Sequence, residues 1–324
     1  MDVPPALTVA SWLTDWLDQQ KKRLIANPLC GYSKDESATA EPVAFAAITA
    51  CGFGLKAPAE AACNRLLDAQ NKHGSVSVRL DYQGPFWPTS LAAIAWRQFE
   101  RTWEPTDWRY RDAYRNAVEF LTSFGGAKID PDPELGHNTQ LVGWPWVDGT
   151  HSWLEPTAMA LLAMRQCGFA KHPRAIEAAE LLLDRQLDSG GANYGNTFVL
   201  GKKLRPHVMP SAISLVALHR FKPEPQTRQS TINYLRSQIN QPIAAISLAW
   251  AIHALAAVSS ETTEPGVESE ISFETPLKTA IDRLRLADPN PHRQNMLMLA
   301  SLQDQSPLLD LGYHSLPNSR EAIR

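Results

Sequence analysis

The stretch Glu155-Pro156-Thr157-Ala158-Met159-Ala160-Leu161-Leu162-Ala163-Met164 decides the fold, because its opening recurs along the chain. Glu41-Pro42-Val43-Ala44, Trp87-Pro88-Thr89-Ser90, Met209-Pro210-Ser211-Ala212 and Gln241-Pro242-Ile243-Ala244 begin in the same way, and each runs into an Ala-, Leu- or Ile-rich segment. A first-turn proline gives up no intrahelical hydrogen bond and arrives with its φ already helical. The openings therefore read as helix starts, and a recurring start means a recurring unit.

Working outward, periodicity predicts twelve helices, at 7–27, 41–52, 58–72, 88–101, 109–124, 156–168, 173–188, 210–220, 225–239, 242–258, 274–286 and 291–304. Their character alternates. Pro242-Ile243-Ala244-Ala245-Ile246-Ser247-Leu248-Ala249-Trp250-Ala251-Ile252 is small and apolar all round, whereas Arg174-Ala175-Ile176-Glu177-Ala178-Ala179-Glu180-Leu181-Leu182-Leu183-Asp184-Arg185 carries charge on one face. A helix apolar on every side must be covered on every side, and a one-striped helix keeps a face in water. Two concentric rings satisfy both demands: an all-α (α/α)6 toroid of six helical hairpins, its inner ring apolar and its outer ring amphipathic. An open solenoid of the same hairpins is the alternative, and six pairs, enough to close a ring, favour closure. Residues 1–304 are expected to form this single domain and 305–324 a C-terminal tail, with 259–272 also solvated. Strand signals are scarce, Gly74-Ser75-Val76-Ser77-Val78-Arg79-Leu80 being the best candidate for an extended segment.

With 324 residues, 44% hydrophobic and 20% charged, the chain has ample apolar surface to bury. A net charge of −3 and a pI near 6.3 leave no basic footprint, which argues against nucleic-acid binding. No apolar run approaches the ~20 residues of a membrane span. Met1-Asp2-Val3-Pro4-Pro5 lacks the charged and apolar regions of a secretion signal. Cys30, Cys51, Cys63 and Cys167 fall in no CxxC spacing and read as small buried hydrophobes, in keeping with a cytoplasmic protein. Neither a phosphate-binding loop nor a Gly-x-Ser-x-Gly elbow is present, and no cofactor is expected.

The connections hold the remaining information. About thirty residues at 125–154 and about twenty at 189–208 far exceed the usual helix-to-helix link, and both precede an inner helix, which places them on one rim. Long ordered loops with aromatics, amides and glycines are where sites are built. Glu155 is the sharpest candidate, since a desolvated glutamate can be held protonated as a general acid; the competing role is to cap the helix start, a role supported by Glu41-Pro42 repeating the arrangement away from any long loop. Asp148, in an Asp-Gly turn, is the candidate second carboxylate for acid/base work. Trp87, Trp144, Trp146, Trp153 and Tyr194 could line a cavity or simply pack. Asn138, Gln140, Asn193 and Asn196 supply neutral hydrogen-bonding groups, and His137, His151 and His207 lie on the same loops without the spacing of metal ligands. No metal is expected.

The segment Ala179-Glu180-Leu181-Leu182-Leu183-Asp184-Arg185-Gln186-Leu187-Asp188-Ser189-Gly190-Gly191-Ala192-Asn193-Tyr194-Gly195 resembles the Gln-Trp repeat of squalene and other class II terpenoid cyclases, with a weaker copy at Asn64-Arg65-Leu66-Leu67-Asp68-Ala69-Gln70-Asn71-Lys72-His73-Gly74-Ser75. Gly143-Trp144-Pro145-Trp146 followed by Glu155-Pro156-Thr157-Ala158 looks like the prenyltransferase and squalene oxidase repeat. The resemblance implies an α/α toroid. It departs from the family at the chemistry: where cyclases carry Asp-x-Asp-Asp-Thr-Ala, this chain reads Trp153-Leu154-Glu155-Pro156-Thr157-Ala158, and the Asp-x-Cys zinc pair of protein prenyltransferases does not occur. What it implies is a terpenoid cyclase-like isomerase or lyase acting on a small apolar, isoprenoid-type ligand by acid-initiated chemistry, with Glu155 as acid. The alternatives are a non-catalytic toroid that binds a ligand or protein partner at its rim, and a glycan-cleaving (α/α)6 enzyme using Asp148 and Glu155.

Overall fold

The computed structural model describes residues 11–131, 133–221, 225–259, 271–287 and 289–310. Among these lie twelve α-helices: α1 (Ser11–Ala26), α2 (Ala40–Gly52), α3 (Lys56–Ala69), α4 (Thr89–Trp103), α5 (Arg109–Ser123), α6 (Leu154–Gln166), α7 (Pro173–Asp184), α8 (Val208–Ala217), α9 (Pro225–Gln238), α10 (Ala245–Ser259), α11 (Glu274–Arg285) and α12 (Pro291–Ser301). The six even-numbered helices pack in sequence, α2 on α4, α4 on α6, α6 on α8, α8 on α10 and α10 on α12, and α12 returns to α2. The ring closes, so the open solenoid is ruled out. Each odd-numbered helix packs outside, α3 on α2, α5 on α4, α7 on α6, α9 on α8, α11 on α10 and α1 on α12. This is an (α/α)6 toroid with an apolar inner ring. Every residue of α6 is buried, as is all of Leu248–Val258 in α10, whereas α5 and α11 bury one stripe each. All four cysteines are buried and unpaired.

Three of the prolines sit two positions deeper than the first helical position that the sequence suggests. Pro42, Pro156 and Pro210 are third in α2, α6 and α8, and Pro88 flanks α4. Any of the first four positions lacks an intrahelical N–H partner, so proline is equally at home there. The Gln241-Pro242 opening differs: α10 begins only at Ala245, and Pro242 is exposed ahead of it.

The repeat is held by the hydroxyl that follows the proline. Thr89 Oγ1 accepts the N–H of Val76 at 2.9 Å, Thr157 Oγ1 that of Trp144 at 2.9 Å, and Ser211 Oγ that of Ala192 at 2.8 Å. The same hydroxyls donate to carbonyls just upstream, at Phe86, Trp153 and His207, so each extended rim segment is tied to the start of an inner helix. Gly74–Leu80, the strand candidate, is one of these tethered segments; it forms no strand, and only Arg79 makes an isolated bridge, to Thr39. The two-residue strands β1 (Phe198–Val199) and β2 (Lys202–Lys203) form a small hairpin that alternation in the sequence did not announce.

The glutamines of the two Gln-Trp-like copies dock onto the next outer helix. Gln70 Nε2 donates to Ala113 O of α5 at 2.9 Å, and Gln186 Oε1 accepts from the Thr231 hydroxyl of α9 at 3.3 Å. Behind them, Gly74 and Gly190 adopt φ values of +87° and +88°.

The inner helices run parallel. The carboxyls of Glu41 and Glu155, at the starts of α2 and α6, share one end, while Gly52, Gln98 and Gln166, at or near the ends of α2, α4 and α6, meet the Pro307–Leu309 turn at the other. Gln98 and Gln166 donate to Pro307 O at 3.0 and 3.1 Å, His253 Nε2 lies 2.8 Å from Ser306 Oγ, and Leu308 is wholly buried. Solvation was expected from residue 305 onward, but 306–308 stopper this end of the ring. Residues 311–324, and most of the 259–272 segment expected to be solvated, lie outside the described residues.

A Cβ on Gly74 would fall 2.2 Å from Asn116 O of α5, and one on Gly190 2.5 Å from the Ser230 carbonyl carbon of α9. Backbone cannot yield as a side chain does, and left-handed φ adds strain. Gly74→Ala and Gly190→Ala should each lower unfolding free energy by roughly 2–4 kcal/mol in urea titrations. Gly54→Ala, at φ +67° with open space around it, should lose only about 1 kcal/mol.

Candidate functional site

The end of the ring opposite the Pro307–Leu309 turn collects helix starts, and with them whatever their second residues carry: Glu41 in α2, Glu155 in α6, Met209 in α8 and His292 in α12. Glu155 is 7% exposed, and its Oε1 is shut off from water without a hydrogen-bond partner among the described residues. It therefore does not cap its helix. Burial raises its pKa to about 7, and the neighbouring charge of Glu41 pushes the same way. Glu41 is likewise raised to about 7 by burial, against the hydroxyl of Tyr32, which donates to its Oε2. His292, buried in α12, places Nε2 3.8 Å from Glu41 Oε1, and burial lowers its pKa to about 4, leaving it neutral.

The structure offers Glu41 rather than Asp148 as the carboxyl neighbour of Glu155. Asp148 stands exposed in the Val147–Thr150 turn, and the charge that acts on Glu155 is that of Glu41. The sequence used Glu41-Pro42 as an argument that Glu155 is only a cap; the repetition instead marks the pair, because equivalent positions on inner helices face the same mouth.

Aromatic rings flank the acids. The Tyr194 carbonyl accepts the N–H of Leu154 at 3.0 Å, which sets Tyr194 beside the start of α6, where its phenol feels the charge of Glu155. Tyr194 is partly exposed and packs on His207, ring centroids 4.9 Å apart. His151 packs on Trp153 at 4.6 Å, and Trp87 meets Trp146 edge-on at 4.9 Å. Trp144 departs from the expected lining: it is 2% exposed, donates Nε1–H to Leu121 O at 3.2 Å and lies under the Arg174 guanidinium, so it wedges helices together.

The amides mostly order the loops. Asn138 accepts the Gln140 N–H and receives Arg185 on its carbonyl, Gln140 Nε2 donates to Ile129 O, and Asn193 bonds Arg205 O and the Tyr194 N–H. Asn196 is half-buried in the same loop. Thr197 donates to Gly136 O at 2.8 Å, so the two long excursions do meet on one rim. Burial lowers the pKa of His137, and the charge of nearby Arg185 acts the same way; no group of three His, Cys, Asp or Glu side chains among the described residues is gathered as a metal requires. Nor, among them, is any helix long and apolar enough to cross a membrane.

No family model and no curated protein matches the sequence. Solved structures do match the fold. An endoglucanase of glycosyl hydrolase family 8 from Klebsiella pneumoniae superposes with a TM-score of 0.55 at 13% identity, over 90% of this chain and 99% of that one. An α-1,6-mannanase of a Salegentibacter species, complexed with α-1,6-mannotriose, gives 0.58 at 13% identity, over 92% and 99%. Rex8A of Paenibacillus barcinonensis, complexed with xylose, gives 0.51 at 12% identity, over 90% and 93%. The class of protein is thereby defined as an (α/α)6 toroid. The toroid implied by the Gln-Trp resemblance holds, but these neighbours, an endoglucanase and a mannanase among them, give no support to the terpenoid cyclase assignment.

A carboxyl whose pKa rises on folding stabilises the folded state fully below its unfolded pKa and loses that contribution as pH climbs through the folded value. For Glu155 that window runs from 4.5 to about 7. Unfolding free energy should therefore fall between pH 5 and pH 8, and the difference in favour of Glu155→Gln should grow by roughly 2–3 kcal/mol over that interval, measured by urea denaturation at both pH values.

Proposed function

We propose that the protein cleaves glycosidic bonds at the mouth of the toroid, with Glu155 protonating the leaving oxygen and Glu41 acting as the carboxylate that activates water or attacks the anomeric carbon. One observation carries this reading: two buried carboxyls at the starts of α2 and α6, near enough for the charge of Glu41 to act on Glu155, one accepting a hydroxyl and the other with an oxygen unpartnered among the described residues. Two carboxyls raised by burial toward the working pH, one able to give a proton and one to take it, form an arrangement that suits sugar hydrolysis. Trp87, Trp146, Trp153 and Tyr194 offer faces on which sugar rings stack, and Asn193, Asn196, His151 and His207 lie on the same rim loops. The similar folds of an endoglucanase, a mannanase and a xylose-bound protein support a glycan substrate.

A second reading keeps Glu155 as the acid and acts on an apolar isoprenoid. It is favoured by the apolar stretches of the inner helices, such as Met159–Met164 and Leu248–Ile252, and by Trp153 close to Glu155 in the chain.

Reducing-end release from a panel of β-glucan, xylan and α-1,6-mannan tests the first reading. Glu155→Gln and Glu41→Gln should each lower the rate on the responsive glycan by about 10²-fold or more, and Asp148→Asn should leave it unchanged. Conversion of a linear prenyl substrate that depends on Glu155, with no glycan cleaved, would establish the second reading. Inertness towards both would leave a toroid that binds at its rim.

A further inference from the structure

Nothing in the paired carboxyls alone says which one keeps the proton, since both sit at the second position of an inner helix and both are buried. The surroundings break the symmetry. We propose that Tyr32 and His292 are positioning residues that hold Glu41 as the carboxylate of the pair and so leave the proton on Glu155; the assignment rests on the acid/base reading of this site. Tyr32 donates its phenolic O–H to Glu41 Oε2, and His292 turns Nε2 toward Oε1 at 3.8 Å. A hydroxyl donor favours the ionised form of its acceptor, and a neutral imidazole can present N–H without adding a charge.

Tyr32 is built to give the hydrogen bond and keep the proton. Burial, with the negative charges of Glu41 and Glu36, holds its phenol well above the usual range. Its backbone is pinned by the Glu36 carboxylate, which accepts the N–H of Tyr32 at 3.0 Å and of Ser33 at 3.2 Å. The ring meets His292 edge-on with centroids 5.5 Å apart, and His292 packs in turn on Phe45 of α2 at 5.2 Å. Phenol, imidazole and carboxyl thus form one packed unit spanning the 27–39 segment, α12 and α2. Glu155 Oε1 has no hydrogen-bond partner among the described residues, and the Tyr194 phenol beside it only feels its charge. The titratable or charged groups that act on Glu41 or its two partners are Tyr32 and Glu36 from the 27–39 segment, His292 and Arg293 from α12, and Glu155 from α6.

The test follows the two carboxyls directly in the full chain, by 13C NMR of side-chain-labelled glutamate with Glu41→Gln and Glu155→Gln spectra to assign the signals. Tyr32→Phe, which keeps the ring, should raise the Glu41 midpoint by about one pH unit, a tenfold tighter hold on its proton, and lower that of Glu155. His292→Leu should move Glu41 in the same direction, and His292→Gln, which retains an N–H donor, should restore most of the shift. On a responsive glycan, the acidic limb of kcat/KM should move upward in pH with the Glu41 midpoint. A Glu41 signal that titrates unchanged in both Tyr32→Phe and His292→Leu, or two carboxyls that shift equally in the same direction, overturns the proposal. The titration needs no substrate, so an inert protein showing the expected shifts would defeat the glycan reading alone, and an active one with unmoved midpoints would defeat this inference alone.

Discussion

A helix with no polar side can sit nowhere but among other helices, and this constraint organises the molecule. α6 is buried along its whole length and α10 over all but its ends, so each needs neighbours on both flanks and a cover behind. With α2, α8 and the more polar α4 and α12, which carry Arg97, Glu100 and Arg293, they supply each other's flanks by closing into a ring, and six amphipathic helices supply the covers. Because each hairpin returns the chain to the same end before the next inner helix begins, the inner helices come out parallel, and their starts gather at a single mouth.

That gathering has an electrostatic consequence. Helix starts present unpaired N–H groups and the positive ends of their dipoles, an environment that tolerates carboxylates. At Glu41 and Glu155 burial opposes it and wins, holding both near neutrality rather than in the ordinary carboxylate range. The opposite end is closed by backbone and amides. There Pro307 and Leu308 accept hydrogen bonds from Gln98 and Gln166 and close the ring.

The rim is a product of the same repeat. One hydroxyl per start, in Thr89, Thr157 and Ser211, both accepts a rim N–H and returns its own proton to a nearby carbonyl, so the extended segments ahead of α4, α6 and α8 are anchored in the same way. The segments differ in what they carry two residues after the tethered N–H: Val78 before α4, Trp146 before α6 and Tyr194 before α8.

Much of the fold was legible in the chain, because apolar periodicity and first-turn prolines act locally: all twelve helices lie where the pattern put them, within a few residues. Glu155 and the aromatic rim could be read for the same reason, standing beside a helix start and within long loops. Other features depended on which starts closure brings face to face. Glu41 was visible only as a copy of Glu155, Tyr32 and His292 carried no signal at all, Asp148 looked like a partner because it is near in sequence, and Trp144 looked like lining because it is aromatic. Residues separated by 114 positions, as Glu41 and Glu155 are, or by 251, as Glu41 and His292 are, share a site only because the ring brings the ends of α2, α6 and α12 to one mouth. The sequence by itself determined the helices, their two characters and hence the toroid, since these follow from local hydrogen bonding and burial; the tertiary structure decided the partner of Glu155, because a carboxyl's neighbour and its hydration exist only once the ring has closed.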